Sequence, residues 1–263
     1  MSLQGHWADL PSSAFRELPG DLVAVLPLGA IEQHGPHLPV SVDRDLIEAA
    51  VAAMLGELGP EQSVLALPVL SVTKSNEHLS FPGTLTLGPE TLLAVLRDIG
   101  ASLARTGVRR LVLFNGHGGN TALLQVAARE LRVANRMIVA VCGWFGFAET
   151  EGLISAEAYA RDIHAGDLET SAMLAVKPAL VNMAEARDFV TSLDRWEAEF
   201  DWIGLSGQAA SPAWVIEDLN PEGACGNAAL ATAEKGRALI ESAGRNFATF
   251  LREFAQFDLG GGA

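Results

Sequence analysis

The chain has 263 residues, of which 49% are hydrophobic, 6% aromatic and 19% charged; this is a globular composition, long enough to bury a core unaided, and it excludes a disordered or collagen-like polymer. Its 18 Lys and Arg against 32 Asp and Glu leave a formal charge of −14, with Arg109-Arg110 the only adjacent basic pair, so a cationic footprint for nucleic acid is missing. Two distant cysteines, Cys142 and Cys225, supply neither a disulfide framework nor a CxxC thiolate site and fit a reducing cytoplasm.

The first ten residues (MSLQGHWADL) lack a basic segment followed by an apolar core, so no signal peptide is expected. Residues 22–28 (LVAVLPL) read as a strand, followed by a Gly-, Pro- and His-rich loop to about Val42. Helical spacing over 43–58, stopped by Gly59-Pro60, predicts a helix, and 64–70 a second strand. After a long loop, Pro89 suits the first turn of a helix over 89–105. A short apolar strand over 111–114, a helix over 120–134 and a strand over 137–143 follow. Residues 144–168 read as irregular, 169–176 as helical, 178–226 as a Gly-, Ser- and Pro-rich stretch without clear pattern, and 228–254 as a long helix. The longest run without Asp, Glu, Lys or Arg, 111–128, contains Asn, His, Gln and three Gly, too polar for a bilayer. Apolar strands alternating with helices predict one α/β domain over 1–263, with a mainly parallel sheet and helices on both faces. In such sheets ligands sit beyond the carboxyl ends of the strands.

Five of the six histidines, His34, His37, His78, His117 and His164, follow or lie between the predicted strands. In G-A-I-E-Q-H-G-P-H-L-P-V-S-V-D (29–43), Glu32 and His34 are two apart and face one way in an extended chain. Pro36 and Pro39 stiffen the loop, and Asp43 returns a carboxylate where the helix starts, as ligand or as N-cap. In L-F-N-G-H-G-G-N (113–120), glycines let His117 project. Such a turn can also cradle phosphate, but Thr121 stands where a dinucleotide fingerprint needs its third glycine. In D-I-H-A-G-D-L-E-T-S (162–171), His164 and Glu169 lie five apart.

Carboxylates and imidazoles without thiolates suit Zn, Mn or Fe. Glu32, His34, Asp43, His117 and Glu169 are too many for one open tetrahedral zinc and suit two divalent ions sharing a carboxylate, with a bridging hydroxide as nucleophile; zinc comes first, manganese or iron next. Glu77, His78 and His37 are expected to orient substrate or brace the ligands, Gly118 and Gly119 to offer backbone N–H groups, and Trp144, with Phe145 and Tyr159, to wall the pocket. A metal-stabilised oligomeric binding protein without catalysis, or a nucleotide-binding protein, are the alternatives.

The chain resembles the creatininase family. The matching residues are E-Q-H-G-P-H-L-P with Asp43, N-E-H-L-S-F-P-G-T (76–84), N-G-H-G-G-N, H-A-G-D-L-E-T-S and G-N-A-A-L-A-T-A-E-K-G (226–236). The resemblance implies a three-layer α/β/α sandwich, a dinuclear metal site and hydrolysis of a C–N bond, usually in a small cyclic or formyl amide. By motif position, Glu32, His34, Asp43 and His117 become metal ligands with Asp43 the bridge, and His164 the proton donor to the leaving nitrogen. It also implies a homohexamer. Creatinine-cleaving members carry a ligand Glu at the place of Gly119 and a Trp at that of Ala160, which turns the expectation away from creatinine and makes Glu169 the candidate for the missing carboxylate. Relatives with N-G-H-G-G-N include a deformylase and a peptidase of cofactor maturation.

Overall fold

The computed structural model describes residues 2–205 and 207–260. Strands β1 (Gln4–His6), β2 (Val23–Leu28), β3 (Val64–Ala66), β4 (Arg110–Asn115) and β5 (Ile138–Gly143) pair in parallel in the order β1-β3-β2-β4-β5. Alternation within the strands builds two cores. Val23, Val25, Val112 and Phe114 face one side, and Ala24, Leu26, Leu28, Leu111 and Leu113 the other.

The helices are α1 (Val42–Gly56), α2 (Pro89–Thr106), α3 (Thr121–Asn135), α4 (Ala156–Arg161), α5 (Asp167–Val176), α6 (Leu193–Glu199), α7 (Ile216–Leu219) and α8 (Ala233–Gln256). Leu46 and Met54 of α1, Leu168 of α5, and Leu239 and Phe247 of α8 pack on the first face; Leu92 and Leu96 of α2 and Leu124 and Leu131 of α3 pack on the second. Right-handed crossovers account for this split. The step from β2 to β3 runs one way along the sheet. The steps from β3 to β4 and from β4 to β5 run the other, which puts α2 and α3 opposite α1. The reversal opens a crevice at the carboxyl ends of β2, β3 and β4.

Helix α8 locks the first face. Its N-cap Thr232 accepts from Lys235 N–H, and Lys235 Nζ binds the buried Asp167 carboxylate of α5 at 2.6 Å. At Gly236 the backbones of α8 and α5 touch, since an added Cβ would lie 1.8 Å from Ser171 O. The helices that carry Asp43 and Glu169 are therefore braced by a third.

Several elements differ from the sequence reading. β3 ends at Ala66 rather than 70: Leu67 N–H still donates to Val25 O, but the next donation to β2 comes from Leu70 N–H to Pro27 O, one residue later than a regular ladder requires, and the Leu28–Leu70 bridge follows that slip. β1 was not expected. It is three residues long and lies at the edge, against β3 alone. α5 begins two residues before Glu169, and α8 begins at Ala233 after a separate 3-10 turn, Ala228–Leu230. The irregular stretch holds α4, and residues 178–226 hold α6, α7 and the paired strands β6 (Asp188–Phe189) and β7 (Gly226–Asn227). Among the described residues no helix is long and apolar enough to cross a membrane.

Candidate metal centre

Four separated segments meet in the crevice: the loop after β2 (Glu32, His34) with the first turn of α1 (Asp43), the loop after β3 (Glu77, His78), the turn after β4 (His117), and the turn into α5 (His164, Glu169). Ligand atoms of Glu32, Asp43 and His117 lie within 4.8 Å of one another, as do those of His34, Asp43 and Glu169, and those of Glu32, His34 and His164. All six side chains are buried.

The ring nitrogens reveal how the cluster is polarised. A carbonyl only accepts, so a nitrogen facing one carries the proton. His34 Nδ1 donates to Glu32 O (3.1 Å), His117 Nε2 to Lys74 O (3.0 Å) and His164 Nε2 to Gln33 O (2.8 Å). The opposite nitrogen of each neutral ring is thereby a lone pair. His34 Nε2 faces Asp43 Oδ1 at 3.4 Å and Glu169 Oε2 at 3.8 Å, His117 Nδ1 faces Glu32 Oε2 at 3.2 Å and Asp43 Oδ2 at 3.4 Å, and His164 Nδ1 faces Glu32 Oε1 at 3.7 Å. Lone pair against carboxylate is repulsive unless a proton or a cation lies between. Glu32 Oε1, His34 Nε2 and Asp43 Oδ2 are buried without a hydrogen-bond partner, so the donor set fits divalent cations, with each ring fixed from behind by a carbonyl.

The electrostatics point the same way. Burial disfavours the imidazolium of His34, but Asp43, Glu169 and Glu32 outweigh it and lift the pKa to about 9. Against burial, Glu32, Asp43 and Glu77 raise His117 well above its ordinary value. Asp43 is held low, burial notwithstanding, by His34 and His117. Glu169 is pushed up to about 7, chiefly by burial with Asp43 adding to it. The pocket therefore demands positive charge at its centre. Protons on His34 and His117 supply it in the apo chain and are the ones a metal would release. His164 is pushed well below the usual histidine value by burial and by His34 and His78, so it is neutral.

The flanking groups hold this arrangement. The Ser75 hydroxyl donates to Glu32 Oε2, and Ala165, at φ 58° in the left-handed region, donates its N–H to Glu169 Oε2 at 2.6 Å. Gln33 donates to His78 Nδ1 at 2.8 Å and to Gly223 O at 2.9 Å, which leaves the His78 Nε2 proton toward Glu32 Oε1, 3.6 Å away. Gln33, Ser75 and Lys74 were not expected from sequence. They touch ring nitrogens and carboxylates rather than a cation, and no spacing rule marks such residues.

A cavity of about 420 Å³ opens over the cluster. Besides the cluster itself, Glu77, His78, Gly118, Gly119, Phe145, Tyr159, Asp162, Ile163, Leu168 and Trp214 line it. Trp144 departs from expectation: it is fully buried in the core, and its neighbour Phe145 faces the cavity instead. His37 also lies off the cavity. Its Nε2 meets Thr170 Oγ1 at 3.0 Å and its ring stacks on Phe189, so it ties the first loop to α5 next to Glu169. Asp45 is neutralised by Arg44 and Lys177, away from the cluster. Ser41, the N-cap position, makes no side-chain cap and donates to Asp45 instead.

Comparison with known proteins agrees with this picture. The profile of the creatininase family, described as creatinine amidohydrolase, matches residues 8–251. The chain is 35% identical to a mycofactocin precursor peptide peptidase of Mycobacterium ulcerans, over 88% of this chain and 86% of the other. It is 32% identical to a creatinine amidohydrolase of Pseudomonas putida, over 89% and 90%. Among solved structures it resembles a Bacteroides fragilis protein given the name creatinine amidohydrolase, with a TM-score of 0.79, 28% identity, and coverage of 99% of this chain and 100% of that one. It also resembles a mutant creatininase of Zn–Zn type (TM-score 0.72, 29% identity, 96% and 98% covered) and a manganese creatininase (TM-score 0.68, 28% identity, 95% and 98% covered).

Proposed function

The chain belongs to the creatininase family of hydrolases, and from that premise we propose that it cleaves an amide C–N bond using two divalent cations. Glu32, Asp43 and His117 would hold one, and His34, Asp43 and Glu169 the other. The observation that carries this reading is the set of ring nitrogens turned onto buried carboxylate oxygens, with Glu32 Oε1, His34 Nε2 and Asp43 Oδ2 left without a hydrogen-bond partner. Asp43 faces both His34 and His117, one oxygen to each, which suits it to bridge. Oxygen and nitrogen donors without sulfur suit zinc, manganese or iron, and the Zn–Zn and manganese relatives support the first two.

When bound, such ions supply an acidified water, with a pKa near ~7, and a Lewis acid for the amide carbonyl. The chain's own residues do the rest. Neutral His164, its Nε2–H tied to Gln33 O, presents Nδ1 beside Glu32 Oε1; there it would take a proton from the water whose oxygen adds to the amide carbon and return it to the departing nitrogen as the C–N bond breaks. Gly118, in the cavity wall with nothing within 4 Å of where its side chain would begin, leaves room for a carbonyl oxygen against backbone N–H groups. Phe145, Tyr159, Ile163, Leu168 and Trp214 form an apolar wall that excludes water and seats an apolar substituent.

The test is hydrolysis of cyclic amides, formamides and short peptides by the chain as loaded with Zn or Mn and after chelation. Turnover of at least one class, abolished by chelation and restored by metal, is the expected result. Two bound metals with no turnover of any class would favour a metal-stabilised binding protein.

A further inference from the structure

The turn after β4 carries no side chain at 118 or 119, yet the space beside Gly119 is filled. A Cβ there would lie 1.7 Å from Glu77 Oε1 and 2.5 Å from His117 Nε2. Glu77 comes from a different loop, in the 3-10 turn Asn76–His78, and is buried. Its Oε2 is held by Lys74 Nζ at 2.6 Å, and its Oε1 stands 3.5 Å from His117 Nε2, the nitrogen that donates to Lys74 O. The loop is itself clamped to the β4 end: Lys74 N–H donates to Asn120 Oδ1 at 3.2 Å, and Asn120 Nδ2 donates to Thr73 Oγ1 at 3.0 Å.

We propose that Glu77 is the positioning residue of His117, a carboxylate delivered from the β3–α2 loop into the place a residue-119 side chain would occupy, and that residue 119 must be glycine to admit it. The inference rests on the reading that His117 Nδ1 ligates a cation. A carboxylate behind the distal N–H of a ligating histidine fixes the ring and increases its basicity, and losing one typically lowers metal affinity about 10–100-fold. Glu77 acts through His117, since the ring's other nitrogen is the one turned to Glu32 and Asp43.

The experiment measures both metal affinities by chelator competition, with the visible spectrum of the cobalt-substituted chain as a second readout, for wild type, Glu77→Gln, Glu77→Asp, Gly119→Ala and the exchange Glu77→Gly with Gly119→Glu. Glu77→Gln and Gly119→Ala should each weaken one of the two ions about 10–100-fold, change its cobalt spectrum and leave the other ion unchanged. Glu77→Asp and the exchange should recover part of the loss. A loss spread equally over both ions, or none in either variant while wild type binds two, overturns the role of Glu77. Wild type that takes up no metal instead strikes the metal-site reading beneath it.

Discussion

Gly236→Ala probes how the fold holds the site. In an exposed helix the change adds about 1 kcal/mol of stability, because alanine surpasses glycine in helix propensity by that amount. Here the new methyl would lie 1.8 Å from Ser171 O, 2.4 Å from Ser171 C and 2.9 Å from Ala172 Cα, against an ordinary contact of 3.4–4 Å. All three atoms are α5 backbone, so no rotamer change relieves the clash, and the helices must part by more than an ångström. Overpacking of this kind costs roughly 1–3 kcal/mol and occasionally more. A clash this deep between backbones belongs at the upper end of that range, so the net expectation is a loss of about 2 kcal/mol, or roughly 4–8 °C in Tm for a chain of this size. Glu169 lies two residues before Ser171, so the same displacement weakens the ion at His34, Asp43 and Glu169 and spares the one at Glu32, Asp43 and His117. Gly56→Ala is the control: at the end of α1, with nothing within 4 Å of the added methyl, it should raise Tm slightly. Thermal melts of apo chains with metal titrations decide the matter, and a Gly236→Ala chain as stable as wild type with both affinities intact would refute the reasoning.

Removing the proton carrier should separate binding from chemistry: His164→Ala is expected to keep both metals and lose about 10²–10⁴-fold in kcat, and normal turnover would show that His164 moves no proton. Burial pushes His37 down to about 4, below its unfolded value of about 6.5. The unfolded chain therefore binds the proton first, and this part of the stability is complete above about 6.5 and lost as pH falls toward 4. His37→Gln should flatten the decline of apo Tm across that window, and an unchanged slope would contradict the assignment.

The parts of the fold that were legible in the sequence are those where burial leaves a pattern. β2 and the centre of β4 (111–114) are apolar because both faces are covered, and Pro89 sits in the first turn of α2 as its fixed φ favours. β1 escaped because three residues at an edge carry no periodicity, and β6 and β7 because two residues cannot show any. At the site, the ligand candidates were legible as histidines and carboxylates after strand ends. The tautomer of each ring was not, since it depends on carbonyls of Glu32, Gln33 and Lys74 that any residue could supply. Trp144 and Phe145 show the limit sharply. The two rings lie against each other, centroids 4.3 Å apart, and only packing decides that the indole is sealed in the core while the phenyl ring reaches the cavity.

The central claim is a pair of cations sharing Asp43. Metal content per chain, with anomalous diffraction to place the ions, tests it most directly across wild type, His34→Ala, His117→Ala and Asp43→Ala. The account predicts two ions on either side of Asp43 in wild type, one in each histidine variant at the opposite position, and none in Asp43→Ala. Two ions retained in Asp43→Ala, or a wild-type ion lodged away from Glu32, His34 and His117, would contradict it.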